Sequence, residues 1–189
     1  AVWIGGPGIA GATAVGEALT GKINPSGRLV DTYAYDLTTQ STHYTSDYNY
    51  YYSAEDAAKI YGGFSNYSEG IYIGYRWYET ADAEGYWNNI SNEYGNGYDG
   101  VVQYPFGYGM SYTTFAQKIT SAEEKDGVVN FEVEVTNTGD TYAGKDVIQL
   151  YCETPYTPGG TEKSKVVLCA FEKTALLQPG ETGTYSLSV

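Results

Sequence analysis

Residues 2–21, VWIGGPGIAGATAVGEALTG, place Gly6, Gly8 and Gly11 at the G-x-G-x-x-G spacing, the corner at which a helix N-terminus can hold a pyrophosphate. Asp31 follows at the offset, about 20 residues on, where a dinucleotide site keeps its ribose-binding acid. A tight strand-to-helix turn needs glycine with or without a phosphate, however. Pro7, between Gly6 and Gly8, has no N–H to offer an anion, so the turn lacks one of the donors a pyrophosphate site uses. Nucleotide binding is the least favoured of the readings below.

Other residue types narrow the chemistry further. His43 is the single histidine, so a histidine-based triad or a multi-histidine metal site cannot be assembled from this chain alone. The two cysteines, Cys152 and Cys169, form no C-x-x-C pair, and two ordinary strand thiols are expected rather than a disulfide. The segment SNEYGNGYDG lacks the ligand alternation of a calcium loop. No metal and no cofactor are expected. Tyrosine is over-represented, with 22 copies concentrated between Tyr33 and Tyr112; its flat face and polar tip suit sugar stacking and half-buried surfaces alike. Tyr50, Tyr51 and Tyr52 have the chemistry to bind substrate at outer sugar subsites, although domain packing is the commoner use of such side chains. Glu69 and Arg76 stand among aromatic residues, and a structural ion pair or interface contact is favoured over substrate contact.

Elements must position these groups. The opening reads as strand, glycine turn and helix, with Val15, Ala18 and Leu19 at helical spacing and Gly21 at a C-cap. Asn24-Pro25-Ser26-Gly27 then turns the chain, and residues 28–33 resume as a strand. Residues 35–68 make a long Tyr-rich excursion, within which residues 53–60 suit a short capped helix. In EGIYIGYRWYE, Ile71, Ile73, Tyr75 and Trp77 alternate as a half-buried strand would. From Gln117 onward the pattern is all-β: a hairpin signal at Lys125-Asp126-Gly127, alternation at Val129, Phe131, Val133 and Val135, and further strands in KDVIQLYCE, VVLCAFEK and TGTYSLSV. The spacing suits a β-sandwich, of which about seven strands are the rule, so one or two are expected to be missing.

Charge and hydropathy exclude other classes. Twenty-three acidic against ten basic residues give a net charge of -13, a field that repels nucleic acid and anionic lipid. No run approaches the roughly 20 apolar residues of a spanning helix. The chain starts without Met on an apolar strand and is expected to be an internal fragment.

The blocks GKINPSGRLVDTY, EGIYIGYRWYE, YPFGYGMSYTTF, EVTNTGDTYAGKDVIQLY and LCAFEKTALLQPGET, in that order, resemble the C-terminal half of family 3 glycoside hydrolases, and the middle segment is similar to bacterial versions from anaerobic gut Firmicutes. The resemblance implies α/β plus all-β architecture: residues 1–115 as the tail of an α/β sandwich domain, and 116–189 as a truncated fibronectin type III-like (immunoglobulin-like) β-sandwich. Many members carry Gln-Glu-Gly-Gly where this chain has Ile9-Ala10-Gly11-Ala12, so the contact made by that Glu is not carried over. The family retains configuration, using a barrel Asp as nucleophile and a Glu as acid/base. Neither position maps onto this chain, so no catalytic residue is assigned. The implied partners are the remainder of the glycosidase, on either side of the chain, and an oligosaccharide or aryl glycoside substrate. The compartment is unassigned, with an extracellular or cell-surface site favoured over the cytoplasm. The preferred reading is a non-catalytic part of a β-glucosidase-like enzyme; a free carbohydrate-binding or adhesion module is the alternative.

Overall fold

The structure is a computed structural model and describes residues 4–43 and 67–189. Two compact units divide the chain: the first comprises Ala1–Arg28, Gly109–Tyr151 and Leu168–Val189, the second Leu29–Tyr108 and Cys152–Val167. Among the described residues no helix is long and apolar enough to cross a membrane.

The first unit opens with helix α1, Gly11–Leu19. The expected helix and its stop are both present: Thr20 is the C-cap, Gly21 takes φ 73°, and the Lys22 N–H returns to the Glu17 carbonyl. Only glycine adopts that conformation without steric cost. The glycines at the other end have a local reason. The Gly11 N–H donates to the Pro7 carbonyl, and a Cβ on Gly11 would lie 2.5 Å from that of Pro7. The strand expected ahead of the turn lies partly outside the described residues, and residues 4–10 carry none.

Strands β3 (Phe115–Lys125), β4 (Val128–Asn137), β5 (Val147–Glu153), β6 (Val166–Lys173) and β7 (Thr182–Ser188) form two sheets, ordered β3-β4-β7 and β5-β6. β4 pairs antiparallel with both neighbours. The alternation read from the sequence is the one that buries Val133 and Val135, joined in the core by Ile148, Leu177 and Leu187. The result is the β-sandwich expected from the pattern, of the fibronectin type III-like kind that the resemblance implied. Asp126 (φ 55°) and Gly127 (φ 81°) make the β3–β4 turn, since two successive positive φ values match the twist of a two-residue hairpin. Cys152 and Cys169 are both disulfide-bonded, where thiols were expected. They stand on β5 and β6, hydrogen-bonded neighbours whose pairing is a long-range fact that local spacing does not encode.

The NPSGR block serves this unit as a clasp. Arg28 Nη2 meets Asp146 Oδ1 at 2.6 Å, with side chains only 17% and 12% exposed. Asp146 Oδ2 also accepts from Gln117 Nε2, and the Asp146 N–H donates to Thr174 Oγ1. Asn24 donates to the Ala143 carbonyl while accepting from Ser111 Oγ and the Tyr112 N–H. Gly109 must be glycine here, because a Cβ would fall 2.2 Å from the Gly27 carbonyl oxygen. Two of the quoted motifs, NPSGR and PFGYGMSYT, thus meet each other.

In the second unit, β1 (Tyr33–Ala34) pairs antiparallel with β2 (Val102–Tyr104). The strand expected over residues 28–33 is therefore reduced to its end, with Leu29 exchanging backbone bonds with Gly107 and Tyr108 outside any strand. A larger correction concerns EGIYIGYRWYE. Residues 67–74 turn, and Tyr75–Ala83 is helix α2. Gly70 (φ 56°) and Gly74 (φ 53°, ψ -133°) hold conformations that no strand contains. Beyond Gly74, Tyr78 and Ala81 fall three apart on the buried face. The apparent alternation arose because aromatic residues occupy both phases of the segment. Gly85, at φ 75°, ends α2 with its N–H on the Asp82 carbonyl. Tyr78, Ala81, Trp87, Val101 and Val102 form the core, flanked by Ala34, Trp77, Ile90 and Tyr98. In SNEYGNGYDG, Asn92 Oδ1 accepts from the Tyr94 and Gly95 N–H groups and its Nδ2 donates to the Gly100 carbonyl. That segment is a self-bonded turn.

Candidate functional site

The second unit contains a cleft of about 730 Å³, within the range of small-molecule sites. Its chemistry-bearing walls are Asp31, Thr32, Glu69, Arg76, Trp77 and Phe106. Four stretches supply them: the approach to β1, the turn over residues 67–74, the first turn of α2, and the segment that follows β2.

Local bonds fix each wall. The Asp31 carboxylate accepts from the Thr32 N–H at 2.8 Å, and Gly74 lies against it, so close that a Cβ there would be 3.2 Å from Asp31 Oδ1. Asp36 caps the 3₁₀ turn Leu37–Thr39 through the Thr38 N–H. Those bonds from Thr38 hold the Asp36 carboxyl below its usual range. Thr39 then accepts from Trp77 Nε1 at its carbonyl, 2.8 Å away, and its hydroxyl lies 3.1 Å from the Tyr78 phenol. Burial pushes that phenol up. Ser41 Oγ donates to the Tyr72 carbonyl, tying residues 40–42 to the turn opposite. Tyr75 and Phe106 pack with ring centroids 4.7 Å apart, and the Arg76 guanidinium sits 6.0 Å from the Tyr75 ring centre. A cation over an aromatic face is held there by the ring quadrupole.

Glu69 and Arg76, named from the sequence, both line this cleft. Tyr50, Tyr51 and Tyr52 lie outside the described residues. Asp31 was visible in the sequence only as a ribose-type acid; its place against Gly74 is set by chain segments more than forty positions apart. Thr32 and Phe106 gave no signal. The arrangement offers carboxylate acceptors, a guanidinium donor and an aromatic wall, which is the chemistry of recognition.

Comparison with known proteins places this architecture. Residues 1–75 match the glycosyl hydrolase family 3 C-terminal domain. A β-glucosidase of Ruminococcus albus is 36% identical over 188 residues, which is 100% of this chain and 16% of that enzyme. Residues 1–75 belong to the C-terminal domain of glycoside hydrolase family 3. β-Glucosidase A of Butyrivibrio fibrisolvens is 34% identical across 99% of the chain and 21% of its own length. Among solved structures, a β-glucosidase from Paenibacillus barengoltzii superposes with a TM-score of 0.73 at 35% identity, covering 95% of this chain and 16% of that one. β-Glucosidase 3B of Thermotoga neapolitana, solved in complex with α-D-glucose, gives 0.69 at 32% identity over 93% of this chain and 20% of that one. The chain therefore spans about a fifth or less of the relatives it matches.

Proposed function

We propose that this chain is the non-catalytic C-terminal part of a retaining β-glucosidase that hydrolyses terminal O-glycosyl bonds in carbohydrate metabolism. On this reading residues 1–115 complete an α/β sandwich domain and 116–189 form the fibronectin type III-like domain. The barrel and the rest of the α/β domain are its partners, and an oligosaccharide or aryl glycoside is the substrate of the whole enzyme. The observation that carries the reading is identity of 36% along essentially the whole chain to a β-glucosidase of which it spans 16%.

Retaining hydrolysis needs two carboxyl groups about 5–5.5 Å apart on opposite sides of one glycosidic bond. The nucleophile and acid/base belong to the remainder of the enzyme, and this part contributes scaffold and cleft walls, with Glu69 and Arg76 as structural or interface residues and Tyr50, Tyr51 and Tyr52 as candidates for substrate contact. The enzyme acts at the bacterial cell surface or outside it. The test is a chimaera in which this chain replaces the matching stretch of the Ruminococcus albus enzyme. It should restore hydrolysis of an aryl β-glucoside to a truncated enzyme, while the 189-residue chain alone shows none. Turnover by the chain alone would overturn the reading.

A further inference from the structure

We propose that the Cys152–Cys169 disulfide is a thiol–disulfide exchange site, and that its redox state decides how firmly residues 153–165 are strapped to one wall of the cleft in the second unit. The chain has two cysteines and both are disulfide-bonded, so they are bonded to each other. The segment between them is the strap that their bond closes at its base.

Local chemistry shapes the strap. At its tip, Thr157-Pro158-Gly159-Gly160 reverses the chain: Gly159 takes φ 80° and the Gly160 N–H donates to the Thr157 carbonyl at 2.8 Å. Proline second and glycine third is the pattern of a type II turn. Nearer the base, the Thr154 N–H donates to the Lys165 carbonyl, Thr154 Oγ1 donates to the Ser164 carbonyl at 2.7 Å, and Lys165 Nζ pairs with the Glu153 carboxylate. Below this stem, β5 carries Cys152 and β6 carries Cys169.

Side-chain bonds lay the strap on other segments of the second unit. The Tyr72 phenol donates to the Glu162 carboxylate, and the Lys165 N–H donates to Thr80 Oγ1 at 2.8 Å. Tyr72 stands in the turn over residues 67–74 and Thr80 on α2. Those are the stretches that bring Glu69 and Arg76 to the cleft, so what holds the strap also holds that wall.

Burial does little to fix the strap. Within residues 153–165 only Ser164 is buried and only Thr154 is half-buried; the others are exposed. A segment with so little buried surface opens locally with ease, and covalent closure at its base is what limits its open states. Cys169 is exposed and Cys152 half-buried, and exposed disulfides are the labile ones. The reductant is a dithiol. Its thiolate attacks the Cys169 sulfur, the S–S bond breaks, and Cys152 leaves as a thiolate that takes up a proton. The second thiol of the reductant then displaces Cys169 from the mixed disulfide. The dithiol is oxidised to its own disulfide and the pair is reduced to thiols, an exchange that an oxidised glutathione-type disulfide reverses.

The experiment is amide hydrogen exchange on the full chain, read by mass spectrometry before and after treatment with dithiothreitol in the absence of denaturant, with thiol alkylation alongside. Both cysteines should become open to alkylation. Amides of residues 153–165 should exchange about tenfold faster or more, and those of 67–74 severalfold faster, while β4 and β7 stay slow. Reoxidation with glutathione disulfide should restore the first pattern, so the parent chain serves as its own control and no variant has to fold. Thr80→Val, which keeps the shape and removes the acceptor of the Lys165 N–H, should speed exchange at residues 163–165 with the disulfide intact; unchanged exchange there overturns the docking. A bond that resists dithiothreitol until the chain unfolds is a structural cross-link and overturns the proposal. Unchanged exchange in 153–165 or in 67–74 on reduction overturns it too, as does equal loss of protection in β4 and β7, which would mean that the bond holds the whole fold rather than the strap.

Discussion

The hydrophobic cluster of the first unit is aliphatic, Val133, Val135, Ile148, Leu177 and Leu187, and four of the five sit on regular strands. The second unit is centred on Tyr78 and Trp87, with Trp77 and Tyr98 against them. The difference sets the backbone as well as the core. Aliphatic residues bring no polar tips of their own to satisfy, and the polar side chains this unit does bury bond chiefly at its loops, as Asn137 Nδ2 does to the Tyr142 and Leu177 carbonyls. Aromatic residues with polar tips must find partners when buried. Trp77 reaches the Thr39 carbonyl, Trp87 the Tyr78 carbonyl, and Tyr98 the Glu79 carboxylate at 2.6 Å. Burial and that carboxylate together push the Tyr98 phenol far up. Most of these partners stand on a helix or in irregular backbone, and it is this irregular frame that leaves room for a cleft.

The largest test of the contrast is Trp87→Ala, at a site 3% exposed and in contact with Trp77, Tyr78 and Tyr86. It should cost about 3–5 kcal/mol, with loss of the near-ultraviolet circular dichroism of the clustered rings. Amide exchange in β4 and β7 should stay slow. If those strands lost protection at the same midpoint, the two cores would form one cooperative structure and the contrast would not describe stability.

Arg28→Met comes next. It keeps the stem and removes the charge opposite Asp146, leaving a carboxylate that is 12% exposed with the Gln117 amide but no cation. Removing one partner of a buried pair costs about 3–5 kcal/mol; the bond from Gln117 places this one at about 3. Urea denaturation should show the loss, and Asp146→Asn in the same chain should recover part of it by removing the unpaired charge. A single variant as stable as the parent would mean that the polar clasp of the first unit is dispensable and the aliphatic core sufficient.

What could be read from the sequence follows the same division. The β3–β4 turn was legible because Asp126-Gly127 is a local instruction for two positive φ values. The strands around it were legible because Val129, Phe131, Val133 and Val135 alternate with polar residues. EGIYIGYRWYE misled because tyrosine serves equally on a buried and a solvated face, so period 2 and period 3.6 both fit it. Its glycines were the better signal, and only the backbone at Gly70 and Gly74 gives them their meaning. The cleft was half visible. Glu69 and Arg76 announced themselves by charge among aromatics, but Asp31 and Thr32 enter through tertiary packing that no window of sequence contains.

The gentlest probe of the second unit is pH. The Tyr72 phenol donates to the Glu162 carboxylate, joining two separate segments of that unit by side chains alone. Chiefly because of this bond, its pKa is raised from 10.0 to about 12. A raised pKa means that folding favours the neutral phenol, so its stabilising contribution is complete below about pH 10, declines as pH rises through about 12, and is absent above. Solvent screens an exposed pair of this kind, so the shift in stability should be small. The phenolate absorbance reports it directly. In Glu162→Gln one phenol should titrate nearer 10, seen as a difference between parent and variant confined to the interval from about 10 to 12. If the two curves superpose, the side-chain tie between these segments is absent in solution, and the second unit relies on its aromatic core without it.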